Sequence, residues 1–273
     1  MATKDRLRLL LDRSLPSVAS QSLPPQMLLL VNDGLPFSPS EQALIESAAS
    51  PIRVSIIPNT RTSGVAGAWN TGLRLLSEAT FDGFVAMLDD DDEWDSEHLE
   101  LNIATAATGQ DIVVSGLRFL FDGHPVPRPL ITSLFADDFL VGNPGWQGSN
   151  TFVSIHALRE VGGFRDGLPS LNDRDLAYRL LQIPAIRVAF TGEWTATWHS
   201  SSQGTLSSRR SPAKIAGLRR FWHIYGSSMS VQQADAYFFR AKEYFGVLRH
   251  EIVAACDDAP PHSRSRGDLN GPT

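Results

Sequence analysis

The chain has 273 residues, of which 42% are hydrophobic and 20% charged, with a formal net charge of −6 and one cysteine, Cys256. That length fits one large domain or two small ones, and it can bury a full core without staples. The composition excludes a disordered or collagen-like chain, the acidic balance argues against a coat for nucleic acid or anionic membrane, and the lone cysteine excludes an internal disulfide or a cysteine-based zinc cluster. Apolar runs such as Met27–Val31 fall far short of the roughly 20 residues of a membrane span. Asp12 and Arg13 interrupt the Leu-rich start before any signal-peptide cleavage site, so the expectation is a soluble, cytoplasmic protein without an integral membrane segment or a nucleic-acid partner.

In chain order, Leu7, Leu10, Leu11, Leu15 and Val18 share one face of a helix over residues 5–20, which Pro16 kinks and Pro24 and Pro25 stop. Met27–Val31 is a buried strand broken by Asn32, Asp33 and Gly34. Ser38, Pro39 and Glu41 make a capping box that starts the next helix. A strand over Ile52–Ile57, a helix over Val65–Leu76, a strand over Phe84–Leu88, a helix over Ser96–Thr108 and a strand over Asp111–Val114 follow. After the glycine-rich stretch Gly142–Gly148, helices are expected over Ile155–Val161 and Asp173–Leu181, and a strand over Ile186–Phe190. Helices over residues 213–225 and 231–255 close the chain, the last with Tyr237, Phe238, Ala241, Tyr244, Phe245 and Leu248 on one stripe. Residues 257–273 lack any apolar cluster and are expected to be disordered. Strands alternating with helices imply an α/β fold.

Asp89-Asp90-Asp91-Asp92 is the most informative feature. Adjacent carboxylates repel unless solvent or a cation compensates them. A solvated acidic turn is one reading. The other follows from position, because the run comes straight after a buried strand, and open α/β sheets bind ligands at the carboxyl ends of strands. Carboxylates there suit a hard divalent cation, Mg²⁺ or Mn²⁺, that also holds phosphate oxygens. An EF-hand fails, since Trp94 stands where its loop needs glycine.

In this order, Val31-Asn-Asp-Gly34, Gly64-Val-Ala-Gly-Ala-Trp-Asn70-Thr-Gly72, Leu88-Asp-Asp-Asp-Asp-Glu-Trp94, and Val161-Gly-Gly-Phe164 with Asn172-Asp-Arg-Asp-Leu176 resemble the motifs of the family 2 glycosyltransferases. The resemblance covers roughly residues 5–205. It implies a GT-A fold, Rossmann-like, with a mixed central sheet flanked by helices. It also implies one domain over residues 1–256: a nucleotide-binding half to about 115, an acceptor half over 116–205 and C-terminal helices over 206–256.

The implied activity is inverting, metal-assisted transfer of a sugar from a nucleotide-diphosphate donor, a UDP-sugar above others, to an acceptor hydroxyl. By resemblance, Asp173 is the general base, although it also reads as a helix cap; Asp91 and Asp89 hold the metal, and Asp90 touches ribose or fills the turn. Asp33 contacts the base or serves as a turn residue, Arg61 lies near the base, and His199 reaches the metal or diphosphate or is solvated. Asp175 is expected to anchor the loop. Residues 194–234 contain no acid, so Arg209, Arg210, Lys214, Arg219 and Arg220 read as a solvated face or as a clamp on the donor diphosphate or an anionic acceptor. Trp146 with Gly148 would line the sugar pocket, or Trp146 belongs to the core.

The chain departs from the family pattern in three places. Only Met1–Lys4 precede the first helix, so the usual first strand is expected to be missing, leaving backbone groups for a homo-oligomer or a partner chain to satisfy. Trp69 replaces an arginine, and Asn172 replaces a glutamate. The first departure supports an alternative, a catalytically weak glycosyltransferase-like subunit that binds a sugar nucleotide or a partner enzyme. A nucleotidyltransferase would show a Gly-rich basic phosphate loop near the N-terminus, and there is none.

Overall fold

In the computed structural model, which describes residues 1–201 and 208–254, the chain opens with β1 (Ala2–Thr3). The helix expected over residues 5–20 forms as α1 (Leu7–Leu9), a π-helical turn (Leu10–Ser14) and α2 (Leu15–Ala19). Pro16 has no N–H for the ladder, and the turn widens just ahead of it, with the Leu15 N–H reaching the Leu10 carbonyl. β1 then pairs parallel with β2 (Leu28–Asn32), Ala2 opposite Val31 and Thr3 opposite Asn32. A parallel bridge joins Ala2 to Asp89, which places β1 between β2 and the aspartate run. The first strand is therefore short rather than absent. The Met1 carbonyl accepts from Val31 N–H at 2.9 Å and the Thr3 carbonyl from Asp33 N–H at 2.8 Å, the groups that would otherwise be orphaned.

α3 (Pro39–Ala49) starts on the expected capping box: Ser38 Oγ accepts from Glu41 N–H at 3.3 Å and Glu41 Oε2 from Ser38 N–H at 2.7 Å. β3 (Val54–Pro58) lies parallel on the far side of β2, and α4 (Val65–Glu78) follows. β4 (Phe84–Ala86), β5 (Glu93–Trp94) and α5 (His98–Ala106) bracket the aspartates. Next come β6 (Ile112–Phe121), β7 (His124–Val126), α6 (Ala136–Val141), β8 (Thr151–Ser154), α7 (Ile155–Glu160), α8 (Asn172–Leu180) and β9 (Val188–Ser200). The second sheet has the order β4-β8-β6-β9-β5, with β7 on the edge of β6, and it mixes parallel and antiparallel pairs.

β6 and β9 each run well past the strands expected from the sequence. The apolar runs mark only their buried starts. Further on, Thr191, Gly192 and Glu193 hide the strand pattern, and Gly116 admits the Glu193 carbonyl where a β-carbon would come within 2.9 Å of it. The extension matters because it carries His199 to the aspartates. Alternation along the sheet separates two cores: Leu30 and Val113 face Leu10, Leu15 and Ile45, while Val31 and Ile112 face Ala68, Phe139 and Trp146.

A third core lies among α9 (Pro212–Tyr225), α10 (Val231–Phe245) and α11 (Arg249–Val253), centred on Phe221 and Tyr237. The helix expected over 231–255 ends early at Gly246, whose left-handed backbone (φ 68°) turns its N–H back to the Lys242 carbonyl. Cys256 and the tail expected over 257–273 lie outside the described residues. Among the described residues no helix is long and apolar enough to cross a membrane.

Candidate active site

The four aspartates divide their work. Asp90 is buried and accepts from Thr3 Oγ1 at 2.7 Å and Arg6 Nη1 at 3.1 Å. Asp92 is buried and accepts from Ser149 Oγ at 2.5 Å and from His199 N–H at 2.9 Å. Burial pushes both carboxyls up from the ordinary range, and those donors pull them back. These two residues tie the run to β1, to the 3-10 turn Gly148–Asn150 ahead of β8, and to β9.

Asp89 stands apart from this anchoring, and Asp91 shares Arg6 with Asp90. Among the described residues no side chain donates to the Asp89 carboxylate. Burial, then the charges of Asp91, Asp90 and Asp173, push it up to about 7. Gly148 lies directly against it, where a β-carbon would sit 3.1 Å from Asp89 Oδ2. Asp91 accepts from Arg6 Nη1 at 2.6 Å, and its carbonyl accepts from Arg13 Nη1. His199 turns its ring to Glu93 Oε1 at 3.0 Å, so its backbone rather than its imidazole joins the run. Among the described residues no cluster of His, Cys, Asp or Glu is arranged as a ready metal site.

Asp173 comes from α8, and its charge acts on Asp89. Leu171 caps that helix in a left-handed conformation (φ 67°), disfavoured for a residue with a β-carbon. Asp173 Oδ1 accepts from Arg174 N–H at 2.9 Å and Oδ2 from Asn143 Nδ2 at 2.7 Å. Burial raises its carboxyl, and the nearby Lys214 ammonium limits the rise. Lys214 is itself buried and is held down to about 8, first by burial. Two residues on, Asp175 is wholly enclosed. It accepts from Arg165 Nε at 2.9 Å, Arg179 Nη2 at 2.7 Å and Tyr225 Oη at 2.6 Å, which locks α8 to the preceding loop and to α9.

Asp33 organises the loop ahead of α4. It accepts from Asn59 Nδ2 at 2.6 Å, Ser63 Oγ at 2.8 Å, Gly64 N–H at 2.9 Å and Lys4 Nζ at 3.3 Å, and these bonds hold it below the usual range despite burial. Arg61, in that loop, pairs with Asp166, its Nε 2.9 Å from Oδ2. Asn70 staples the loop side of α4 to the Gly162-Gly163-Phe164 turn, donating to the Phe164 carbonyl and accepting from its N–H, each at 2.8 Å. Trp69, in place of the family's arginine, stacks on Phe164 with centroids 5.9 Å apart.

Three expected contacts have other occupations. Trp146 is 2% exposed, edge-on to Phe139 in the core, so its ring offers no face to a sugar. Its carbonyl instead holds Asn143 Nδ2 at 2.7 Å. Arg209 donates to the Glu243 carbonyl at 2.8 Å, and Arg210 pairs with Glu251 at 2.9 Å, which fastens α10 and α11 rather than reaching toward the aspartates. Arg6, Asn143 and Ser149 were given no role from the sequence. Only Asn143 carried a signal, its place between glycine and proline in the glycine-rich stretch.

The family model described as Glycosyl transferase family 2 matches residues 1–180. No curated protein matches the chain. Among solved structures, S. aureus TarS 1–349 in complex with UDP-GlcNAc is similar at 17% identity, with a TM-score of 0.58, covering 86% of this chain and 69% of that one. The mannosyltransferase PcManGT from Pyrobaculum calidifontis, in complex with GDP-Man and Mn²⁺, gives 16% identity and a TM-score of 0.55 over 86% of this chain and 67% of that one. GalNAc-T7 with UDP, GalNAc and Mn²⁺ gives 13% and 0.56 over 86% of this chain and 48% of its own. The chain spans 43% of the longer TarS structure. The fold is GT-A.

Proposed function

From the chain's membership of glycosyl transferase family 2, we propose that it moves a sugar from a nucleotide-diphosphate donor to an acceptor hydroxyl, with inversion, between Asp89–Asp91 and Asp173. The observation that carries this reading is convergence. Asp173, on α8, lies near enough to Asp89, at the end of β4, for its charge to raise the Asp89 carboxyl. Donor and acceptor groups must meet at such a point. The UDP- and UDP-GlcNAc-bound relatives favour a UDP-sugar.

Asp89, partly buried and short of donors beside a glycine cradle, fits a hard divalent cation, with Asp91 as its second ligand. Mg²⁺ or Mn²⁺ held there would neutralise charge on the leaving diphosphate. Asp173 takes the proton of the acceptor hydroxyl. The oxygen attacks the anomeric carbon from the face opposite the diphosphate, the carbon–oxygen bond to the diphosphate breaks, and the nucleoside diphosphate leaves with that electron pair. Burial raises the Asp173 carboxyl and so makes it a better base, and the Lys214 charge limits that rise. Asn143 fixes which oxygen faces the acceptor.

Arg6 on Asp91 favours a second reading, a binding subunit with little turnover, since the guanidinium already neutralises a ligand of the metal. One set of measurements separates the two. UDP, GDP and dTDP are titrated calorimetrically with and without Mn²⁺ into the wild type, Asp89→Asn and Asp173→Asn. The transferase reading expects metal-dependent binding of one nucleotide, lost in Asp89→Asn. It also expects Asp173→Asn to keep that binding while transfer falls by about 10²–10⁴. Nucleotide binding indifferent to Mn²⁺ and to Asp89 would overturn the metal assignment. Full transfer by Asp173→Asn would overturn the base.

A further inference from the structure

Arg128 and Arg240 come from distant parts of the chain and lie close enough to repel each other. Burial and then the Arg240 charge hold the Arg128 guanidinium below its ordinary value. Among the described residues no carboxylate lies within 4.0 Å of either arginine or of Lys214. Asp235 and Glu243, on α10 with Arg240, do not pair with it; Asp235 faces Arg249 instead. Clustered cations without acids oppose folding unless something else is gained.

Their placement relates them to Asp173. The Arg240 guanidinium packs over Gly142, where a β-carbon would come within 2.6 Å of Nε. The next residue, Asn143, donates to Asp173. Arg240 also acts on buried Arg174, the residue after Asp173. Arg128 lies 4.6 Å over the Phe119 ring and 5.3 Å over Trp198, two rings stacked at 4.3 Å on β6 and β9. Arg240 lies 4.8 Å over the Tyr244 ring, so ring contacts position both guanidinium groups. The contact with Gly142 sets Arg240 beside the segment that holds Asp173.

We propose that Arg128 and Arg240 bind an anionic group, a phosphate or a carboxylate, on the acceptor, so that the acceptor is an acidic saccharide rather than a neutral one. This rests on the glycosyl-transfer reading and adds the acceptor class to it. Guanidinium forks match both anions, and fixed planes lose little freedom on binding them. An anion anchored there would place a neighbouring hydroxyl near Asp173.

The test uses glucose 6-phosphate and glucuronate against glucose, titrated into the full chain with UDP and Mn²⁺ present and followed by calorimetry and by quenching of tryptophan fluorescence. At least one anionic sugar is expected to bind about tenfold or more tightly than glucose. Arg128→Gln and Arg240→Gln are each expected to lose about tenfold of that affinity, and Arg128→Lys to keep most of it. UDP affinity should stay within about twofold in all three variants. Equal binding of the three sugars, or arginine variants that bind the anionic sugar unchanged, would overturn the proposal. Parallel loss of UDP affinity would reassign the cluster to the donor diphosphate and overturn it too. A wild type that binds no nucleotide would instead strike the glycosyl-transfer reading itself. Thermal melts of each variant separate lost binding from lost fold.

Discussion

Asn143 spends every polar atom of its side chain on the position of Asp173. Nδ2 donates to Asp173 Oδ2 and to the Trp146 carbonyl, each at 2.7 Å, and Oδ1 accepts from Gly145 N–H at 2.8 Å. The amide is therefore oriented by backbone on one side and orients the carboxylate on the other. Asn143→Ala removes a bond that favours the charged form of Asp173, so the Asp173 carboxyl should rise. The acid limb of kcat/KM is expected to move to higher pH, and kcat to fall by about 10–100-fold, with the donor KM little changed. An unmoved acid limb would show that Asn143 serves only the turn.

Arg6 bridges Asp91 and Asp90 at 2.6 Å and 3.1 Å, so a cation offered to Asp91 meets one already there. Arg6→Gln is expected to tighten Mn²⁺ binding by about 2–5-fold, the worth of a partly exposed pair. Calorimetry or the Mn²⁺ spin-resonance signal reads this without turnover. Weaker Mn²⁺ binding in the variant would mean that Arg6 organises the run rather than competing for it.

Asp175 has no exposed side-chain surface and serves Arg165, Arg179 and Tyr225. Asp175→Ala strands those donors and is expected to lower stability by about 3–5 kcal/mol in urea unfolding. Asp173→Ala, two residues away, should cost far less, since Asp173 is only half-buried. Similar losses in the two variants would contradict the division of labour between the two acids.

His98 is buried against Trp94, with Nδ1 2.8 Å from Thr195 Oγ1 and Nε2 without a partner among the described residues. Burial drops its pKa from 6.5 to about 3. Between those values the unfolded chain binds the proton and the folded one does not, so stability rises with pH across that window and is lost as pH falls from 6.5 toward 3. His98→Gln should flatten that part of the stability curve. A variant with the same acid slope as wild type would place the sensitivity elsewhere.

The aspartate run and the Gly64–Gly72 patch were legible because each is local: a strand end, a helix start and adjacent charges lie within a few residues. The π-helical turn was legible as a kink at Pro16, since a missing N–H acts wherever it sits. The lengths of β6 and β9 were not, because strand ends are decided by a partner's register and by close approach at Gly116.

What the sequence determined by itself was the alternation of elements, the family and the run of four adjacent aspartates at a strand end. Backbone propensity and side-chain type act over one turn or one strand, and motif order preserves them. Only the tertiary structure decided which carboxylates are free. It spent Asp33 on a loop, Asp90 and Asp92 on anchoring, and Asp175 on arginines, and it brought Asp89 and Asp173 together across 84 positions of chain (173 minus 89). It also set Arg6 on Asp91, Asn143 under Asp173, and Arg128 beside Arg240. Burial and pairing at a distance set the charge state of each acid, and neither is written in its neighbours along the chain.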